Sequence, residues 1–235
     1  MRKIICFPFA GAGASIYAPW VKHLDPTITI VPVQLPGHEQ LFMDPPLTNV
    51  DDVISHLRSN LSTLTNEITN SSELLIFGHS LGAILAYAFA RTLSLDIPSL
   101  LIVSGSPAPT NPRTQRSVHL SDHDFLSQVR ALSGYDHPAL QDEELRELLL
   151  PALRADVQMH EEYSPKPPFP VGIPIISVRG SEDALVSKQD AMIWREFTTL
   201  SFRYIEVEGD HMYLINKNSS LFEIFQRDLN THGFS

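Results

Sequence analysis

The stretch from Glu73 to Ala90, ELLIFGHSLGAILAYAFA, decides the fold. Its first part, Leu74 to Phe77, is an unbroken apolar run, which is typical of a strand buried on both faces of a sheet. Its last part, Ala83 to Ala90, is rich in residues that favour helix. The residues between them, GHSLG at 78–82, match the pattern G-x-S-x-G. We therefore predict a strand, a sharp turn and a helix, with Ser80 exposed on the turn.

A serine on such a turn has two interpretations. It can be a nucleophile, because the free N–H groups and the dipole of the following helix favour a developing negative charge beside it. It can also be an ordinary helix-capping serine in a glycine-rich turn. A cap does not require a second glycine after the serine, whereas the sharp turn of a nucleophile does, so Gly82 favours the first interpretation.

Composition limits the function classes. The chain has 235 residues, 43% of them hydrophobic, a net charge of −10 and a pI of about 5.4. The length suits one large α/β domain, or at most two small ones. The acidic balance without a Lys/Arg run argues against a nucleic-acid partner. The single cysteine, Cys6, permits no internal disulfide, so we expect a cytoplasmic protein. No stretch approaches the ~20 apolar residues of a membrane span.

Strand and helix patterns alternate along the chain. Apolar runs predict six strands, at Lys3–Phe7, Thr29–Val33, Leu74–Phe77, Leu100–Ser104, Ile175–Arg179 and Phe202–Val207. Patterns between and after them predict helices, at Ile16–Leu24, Val50–Ile68, Ala83–Ala90, Lys188–Phe197 and Ser220–Leu229. The alternation predicts a mainly parallel, doubly wound α/β sheet. Ligands of such sheets bind beyond the carboxyl ends of the strands.

The region between the fourth and fifth strands breaks this alternation. Residues from about 107 to 170 form an insertion that is too long for a simple connection. A helix beginning at Ser121 and another beginning at Asp142 are predicted within it, the second broken or restarted at Pro151. Proline-rich ends and Gly134 suit hinges, so we predict a helical lid over the sheet edge. Candidates for its apolar lining are Phe125, Leu126, Val129, Leu145, Leu148 and Leu149.

A serine nucleophile needs a base, and the base needs an acid that fixes its tautomer. Asp183 follows the fifth predicted strand and His211 follows the sixth, so Ser80, Asp183 and His211 occur in the order Ser, Asp, His. Glu182 and Asp210 are the alternatives for the acid. Asp210 is the sequence neighbour of the histidine and should point away from its ring. We therefore predict that Ser80, His211 and Asp183 act as nucleophile, base and acid.

The oxyanion of an acyl-transfer intermediate needs two N–H donors. We predict the backbone N–H of Leu81 as one of them, and that of Ala10 in the loop after the first strand as the other, with Phe9 as the alternative. A phosphate-binding interpretation of the glycines in this loop fails, because neither a Lys-Ser nor a Lys-Thr follows. A cluster at 119–124 (His119, Asp122, His123, Asp124) imitates metal ligands, but a helix start capped by Ser121 explains it better.

Six segments together resemble the type II thioesterases of polyketide and non-ribosomal peptide assembly lines. They are FPFAGAG, PVQLPGHE, FGHSLGA, ELLLPALRADVQMHEEY, VRGSEDALVS and GDHMYL. The resemblance covers nearly the whole chain. It implies an α/β-hydrolase fold, the triad Ser80, Asp183 and His211, and removal of aberrant or stalled acyl groups from carrier proteins. It implies no cofactor of the enzyme itself, because the phosphopantetheine belongs to the transient carrier partner.

The sequence departs from this family at two points, and other functions stay open. PGHE stands where the family often has PGRE, and SGYDHPAL stands where a shorter lid turn is usual. A small-molecule carboxylesterase or lipase-like hydrolase would use the same triad. A third hypothesis is a non-catalytic binding module on the same scaffold. For a carrier partner we predict docking near Arg113 and Arg116, and we expect a monomer.

Overall fold

The computed structural model describes residues 2–59, 71–93, 97–110, 116–133, 138–165, 169–216 and 219–230. In that part of the chain six strands form one parallel sheet in the order β2-β1-β3-β4-β5-β6. The strands are β1 Arg2–Phe7, β2 Ile28–Pro32, β3 Glu73–His79, β4 Ser99–Ser104, β5 Ile175–Gly180 and β6 Phe202–Val207. The α-helices are α1 Val50–Ser59, α2 Leu81–Ala90, α3 Asp122–Ser133, α4 Glu143–Glu162, α5 Lys188–Met192, α6 Tyr213–Asn216 and α7 Ser219–Asn230.

Hydrophobic cores on both faces hold the sheet in place. On one face the strands pack against α1, α2 and the 3₁₀ turn Ile193–Phe197. On the other face they pack against the 3₁₀ segment Ala14–Lys22 and against α7. Because both faces are covered, β3 and β4 are almost entirely apolar and buried, as parallel strands require. The predicted doubly wound α/β sheet is confirmed.

The strand order creates a crevice beside Ser80. The chain passes from β1 outward to β2 on one side, and then returns to β3 on the other side of β1. Connections therefore leave the neighbouring strands β1 and β3 in opposite directions, and a crevice opens beyond their carboxyl ends. Phe7 of β1 is in register with Gly78 of β3, so the loops that follow them lie side by side.

One helix differs from the sequence prediction. The second helix of the region between β4 and β5 does not break or restart at Pro151, because α4 runs through this residue. Proline removes one helical N–H, but Pro151 lies on the exposed side of the helix. On the buried side Met159 packs into the core that contains α2, and Leu153 packs into the small core that contains residues of α3. This packing holds the helix together.

Other predicted features lie outside the described residues or differ at their ends. Helix α1 ends at Ser59, and the predicted continuation toward Ile68 lies outside the described residues. So do Gly134 and three of the seven prolines at the ends of the predicted lid, at positions 112, 167 and 168. Residues 193–197, predicted as helix, form a 3₁₀ turn at the end of α5.

Candidate active site

Ser80 lies on a strained turn between β3 and α2. Its backbone has φ 53° and ψ −117°, a conformation that costs a non-glycine residue about 1–3 kcal/mol. Its N–H donates to the Ser104 carbonyl at 2.8 Å. A Cβ on Gly78 would lie 1.9 Å from the Gly82 carbonyl oxygen, and one on Gly82 would lie 2.3 Å from the Phe7 carbonyl oxygen. Both positions therefore require glycine, because the strands and the helix meet closely at this turn.

The Ser80 side chain is not a helix cap. Ser80 occupies the N-cap position of α2, but its side chain makes no capping hydrogen bond to this fully described helix. The interpretation as an ordinary capping serine is therefore wrong. Ser80 instead lines a cavity of about 290 Å³ that His211 also lines.

His211 and Asp183 form a buried pair on neighbouring loops. His211 follows β6 after Gly209, whose φ of 125° suits glycine, and Asp183 follows β5. The His211 Nδ1 lies 2.9 Å from Asp183 Oδ2. The other carboxylate oxygen, Oδ1, accepts the N–H groups of Leu185 at 2.8 Å and Val186 at 3.1 Å. The carboxylate thus accepts a hydrogen bond from Nδ1–H, which fixes the ring tautomer whose lone pair is on Nε2.

The two alternative acids lie elsewhere. Glu182 is exposed on the surface of the loop. The Asp210 carboxylate accepts the N–H of Met212 at 2.9 Å, which turns it away from the ring of its neighbour. Asp183 is therefore the carboxylate that contacts His211.

The loop after β1 forms a turn at the cavity wall. The Ala12 N–H donates to the Phe9 carbonyl at 3.0 Å, and Gly11 between them has a φ of +78°, as in a type II turn. The C=O and the N–H of a trans peptide point in opposite directions. Because the Phe9 carbonyl accepts a hydrogen bond inside the turn, the Ala10 N–H of the same peptide points out of it. Ala10 also lines the cavity. On the opposite side Leu81 is the first residue of α2, where an N–H has no partner within the helix.

The cavity is roofed by the region between β4 and β5. Val129 of α3 and Leu149 of α4 line it, as predicted, together with Leu140. The remaining lining residues are Phe9, Gly11, Gly13, Gly37, His38, Glu39, Ala152, Leu153 and Met212. Most of these groups are apolar, so the cavity suits a hydrocarbon chain.

The other predicted lining residues do not reach the cavity. Leu145 and Leu148 are 45% and 53% exposed, because they lie on the outer face of α4. Phe125 and Leu126 are buried in a small core between α3 and α4. Successive residues of an α-helix are rotated by about 100° from one another, so neighbours in the apolar run Leu148–Leu150 point to different sides of the helix.

The cluster of acidic residues and histidines at 119–124 lies at the N-terminal end of α3. The Asp124 N–H donates to the Ser121 hydroxyl at 3.2 Å, and Asp122 pairs with Arg154 of α4 at 2.7 Å. Within the described residues no group of His, Cys, Asp and Glu is arranged to hold a metal ion.

Sequence reasoning missed a buried histidine next to the serine. His79 is fully buried, and its Nδ1 lies 2.9 Å from the Ser104 hydroxyl, which also bonds to the Tyr213 hydroxyl. Its ring centre lies 4.9 Å from that of His211. Burial holds the pKa of His79 well below its ordinary value, so His79 stays neutral beside the catalytic candidate.

Sequence reasoning also missed His38 and Asp156. His38 follows β2, Asp156 belongs to α4, and their side chains pair at 3.0 Å with exposed fractions of 7% and 2%. Burial alone would lower the pKa of His38, but the hydrogen bond and the charge of Asp156 outweigh it and raise that pKa above its ordinary value. Two features of the sequence could have indicated this pair. One is an aspartate, Asp156, on the otherwise apolar buried face of α4, and the other is the histidine of PGHE, His38.

Comparison with known proteins identifies the family. A family model described as a thioesterase domain matches residues 2–229. The gramicidin S biosynthesis protein GrsT of Aneurinibacillus migulanus is 32% identical over 97% of this chain and 88% of its own length. Thioesterase PikA5 of Streptomyces venezuelae is 33% identical over 90% and 75% of the two chains.

A solved structure agrees with these relatives. The type II thioesterase BorB of the borrelidin biosynthetic cluster superimposes with a TM-score of 0.85 at 32% identity, covering 97% of this chain and 93% of that one. In the described part of the present chain no helix is both long and apolar enough to cross a bilayer. The resemblance carried by the sequence motifs is thus confirmed, and the chain belongs to the thioesterase family as a type II thioesterase.

Proposed function

We propose that this thioesterase removes aberrant or stalled acyl groups from the phosphopantetheine arm of carrier proteins in a polyketide or non-ribosomal peptide assembly line. One observation carries the proposal: Ser80, on its strained turn, and His211, paired with Asp183 at 2.9 Å, line the same apolar cavity. The names of the relatives support the substrate class. GrsT is named for gramicidin S biosynthesis, and BorB comes from the borrelidin biosynthetic cluster.

The first half of the reaction forms an acyl-enzyme. The Ser80 hydroxyl attacks the thioester carbonyl while His211 Nε2 takes its proton. The N–H groups of Leu81 and Ala10 donate to the oxyanion of the tetrahedral intermediate. This intermediate collapses as the C–S bond breaks, and the thiol of the carrier arm leaves with the proton of His211.

Water completes the turnover. His211 takes a proton from a water molecule, whose oxygen attacks the acyl carbonyl on Ser80. The second tetrahedral intermediate releases the free acid, and His211 returns the proton to the serine oxygen. The Asp183 carboxylate stabilises the imidazolium that forms twice in each cycle. The protein and water supply every group on this route, so we propose that the enzyme needs no cofactor of its own.

We further propose one α/β-hydrolase domain over residues 1–235, with residues from about 107 to 170 as its lid. Helices α3 and α4 of this segment roof the cavity, so their movement would admit the carrier arm. A cytoplasmic monomer that meets its carrier transiently fits this use. Arg116 is an exposed residue of this segment, whereas Arg113 lies outside the described residues, so docking at this pair stays a prediction.

The decisive experiment presents one acyl chain in three forms: as an oxygen ester, as a coenzyme A thioester and as a carrier-protein thioester. We expect the highest kcat/KM for the carrier-bound form, because the arm and the carrier surface both contribute binding energy to the transition state. The highest kcat/KM on the oxygen ester would favour a carboxylesterase instead. Equal values on both thioesters would contradict recognition of the carrier.

The cavity wall predicts a dependence on chain length. Val129→Trp places a large ring in the cavity, so we expect kcat/KM for an octanoyl thioester to fall by about tenfold or more. The value for the acetyl thioester should change by less than about threefold, because a short chain does not reach the wall.

The matched control for this variant is Val21→Trp, since Val21 is 65% exposed and does not line the cavity. We expect Val21→Trp to leave kcat/KM unchanged for both the octanoyl and the acetyl thioester. An equal loss on the octanoyl and acetyl thioesters with Val129→Trp would contradict the assignment of the cavity as the acyl site.

A further inference from the structure

Three segments of the chain meet at the Asp156 carboxylate. Its Oδ2 accepts the N–H of Gly11 from the loop after β1 at 2.8 Å. The same oxygen lies 3.0 Å from Nε2 of His38, in the loop after β2. Asp156 itself belongs to α4, which roofs the cavity. One buried carboxylate therefore joins the roof to the loop that carries Ala10.

The contact between His38 and Asp156 depends on a proton. Nδ1 of His38 lies 3.1 Å from the Pro36 carbonyl, which can only accept, so this nitrogen carries a hydrogen. Nε2 faces a carboxylate oxygen, and a hydrogen bond there needs a second proton between the two atoms. A neutral ring carries only one hydrogen, so after loss of a proton one of the two nitrogens faces an acceptor oxygen without a hydrogen in a buried site, which is costly.

Helix α4 also contacts the turn through Leu153. A Cβ on Gly11 would lie 2.9 Å from Leu153 Cδ1, so the backbone of the turn packs directly against this side chain. Leu153 and Asp156 are three residues apart on one face of the helix. The turn after β1 is thus held from one side by a packing contact and a charge-assisted hydrogen bond, while the Ala10 N–H points out of it.

We propose that Asp156 is a positioning residue for the loop after β1, and that the proton it shares with His38 keeps it in place. The alignment of the Ala10 N–H with the reacting carbonyl is then lost when that proton dissociates at high pH. This inference rests on the proposed function, in which Ala10 donates to the oxyanion.

The surroundings of His38 agree with this direction. Asp156 faces it from α4, and Glu39 adds a second negative charge on its own loop, where Ser15 holds the Glu39 carboxylate. His211 is the other titratable side chain that lines the cavity with His38 and Glu39. Both carboxylates favour the protonated state. Because the pKa of His38 is raised, the contact is intact below the ordinary value and is lost as pH rises through the raised one.

Loss of the proton shared by His38 and Asp156 should therefore lower the rate at high pH. The contact between the two side chains weakens as pH rises, so activity declines. Arginine at position 38 would keep its charge throughout, and the decline at high pH should disappear.

The experiment compares Asp156→Asn, His38→Gln and His38→Arg with the wild type from about pH 6 to about pH 10. Active sites are counted with a fluorophosphonate, so that misfolded protein does not enter kcat. We expect Asp156→Asn and His38→Gln to lower kcat by about 10- to 100-fold, with KM changing less than about threefold, because a displaced donor acts on the transition state. We expect His38→Arg to lose the decline of kcat at high pH.

Asp122→Asn is the matched control, because it weakens a different anchor of the roof, the exposed contact with Arg154. It should leave kcat and the pH profile unchanged. If Asp156→Asn fails to fold, the two His38 variants decide alone. Wild-type kcat and profile in His38→Gln, or a decline that persists in His38→Arg, would overturn the inference.

These results are separable from the proposed function. A wild-type enzyme that hydrolyses carrier thioesters while the variants behave normally would remove only the role of Asp156. A wild type without thioesterase turnover would remove the proposed function. The rate of fluorophosphonate labelling of Ser80 would then still test the positioning, since phosphonylation also develops negative charge on oxygen.

Discussion

Ser80→Ala is expected to lower kcat for thioester hydrolysis by roughly 10⁴-fold or more, because no acyl-enzyme can form without the serine oxygen. The fold should survive. The strained backbone at φ 53° costs alanine about as much as serine, and the N–H bond to the Ser104 carbonyl does not involve the side chain. The measurement is single-turnover hydrolysis of a carrier-bound acyl thioester, together with the thermal midpoint.

The control for this variant is Ser181→Ala, an exposed serine at the same edge of the sheet. It should hydrolyse the substrate at the wild-type rate, and a fluorophosphonate should label it as it labels the wild type. The Ser80→Ala protein should resist labelling and should still bind the acylated carrier. Turnover of this variant within about tenfold of the wild type would exclude Ser80 as the nucleophile.

Local sequence patterns predicted the sheet because its strands are buried on both faces. Short apolar runs such as Leu74–Phe77 are typical of a central strand, and the turn residues after them mark where each strand ends. The prediction that the helix breaks or restarts at Pro151 was wrong, because it relied on the rule that proline usually ends a helix. The position of Pro151 on the exposed side of α4, and the packing of the opposite side, became visible only in three dimensions.

The candidate site also contains both residues that local sequence patterns predicted and residues that they did not. Ser80, Asp183 and His211 were predicted because each follows a strand of a parallel sheet, whose carboxyl ends share one edge. His38 and Asp156 are 118 residues apart, and Gly11 and Asp156 are 145 apart. No local pattern relates such residues, since their contact depends on how α4 crosses the loops. The prediction that Leu145 and Leu148 line the cavity was wrong for the same reason.

Asp183→Asn is the second change for which we expect a large effect, a fall in kcat of about 10⁴-fold. The amide oxygen can keep the N–H bonds of Leu185 and Val186 that Oδ1 accepts now. The amide NH₂ then faces His211 Nδ1 in place of Oδ2 and can only donate to it. The ring is forced to carry its proton on Nε2, the nitrogen that must accept the proton of Ser80. The loop geometry should persist while the base is lost, so KM should change far less than kcat.

The two carboxylates that competed with Asp183 in the sequence provide the controls. Glu182→Gln removes an exposed charge next to Asp183, and Asp210→Asn keeps an oxygen for the Met212 N–H. Both should retain kcat within about threefold, because neither side chain contacts His211, and small surface changes act weakly. A large loss in either variant, with near-normal turnover in Asp183→Asn, would transfer the role of the acid to that residue. Because all three variants remove one negative charge from the same edge of the sheet, a difference between them reports contact with the ring and not net charge.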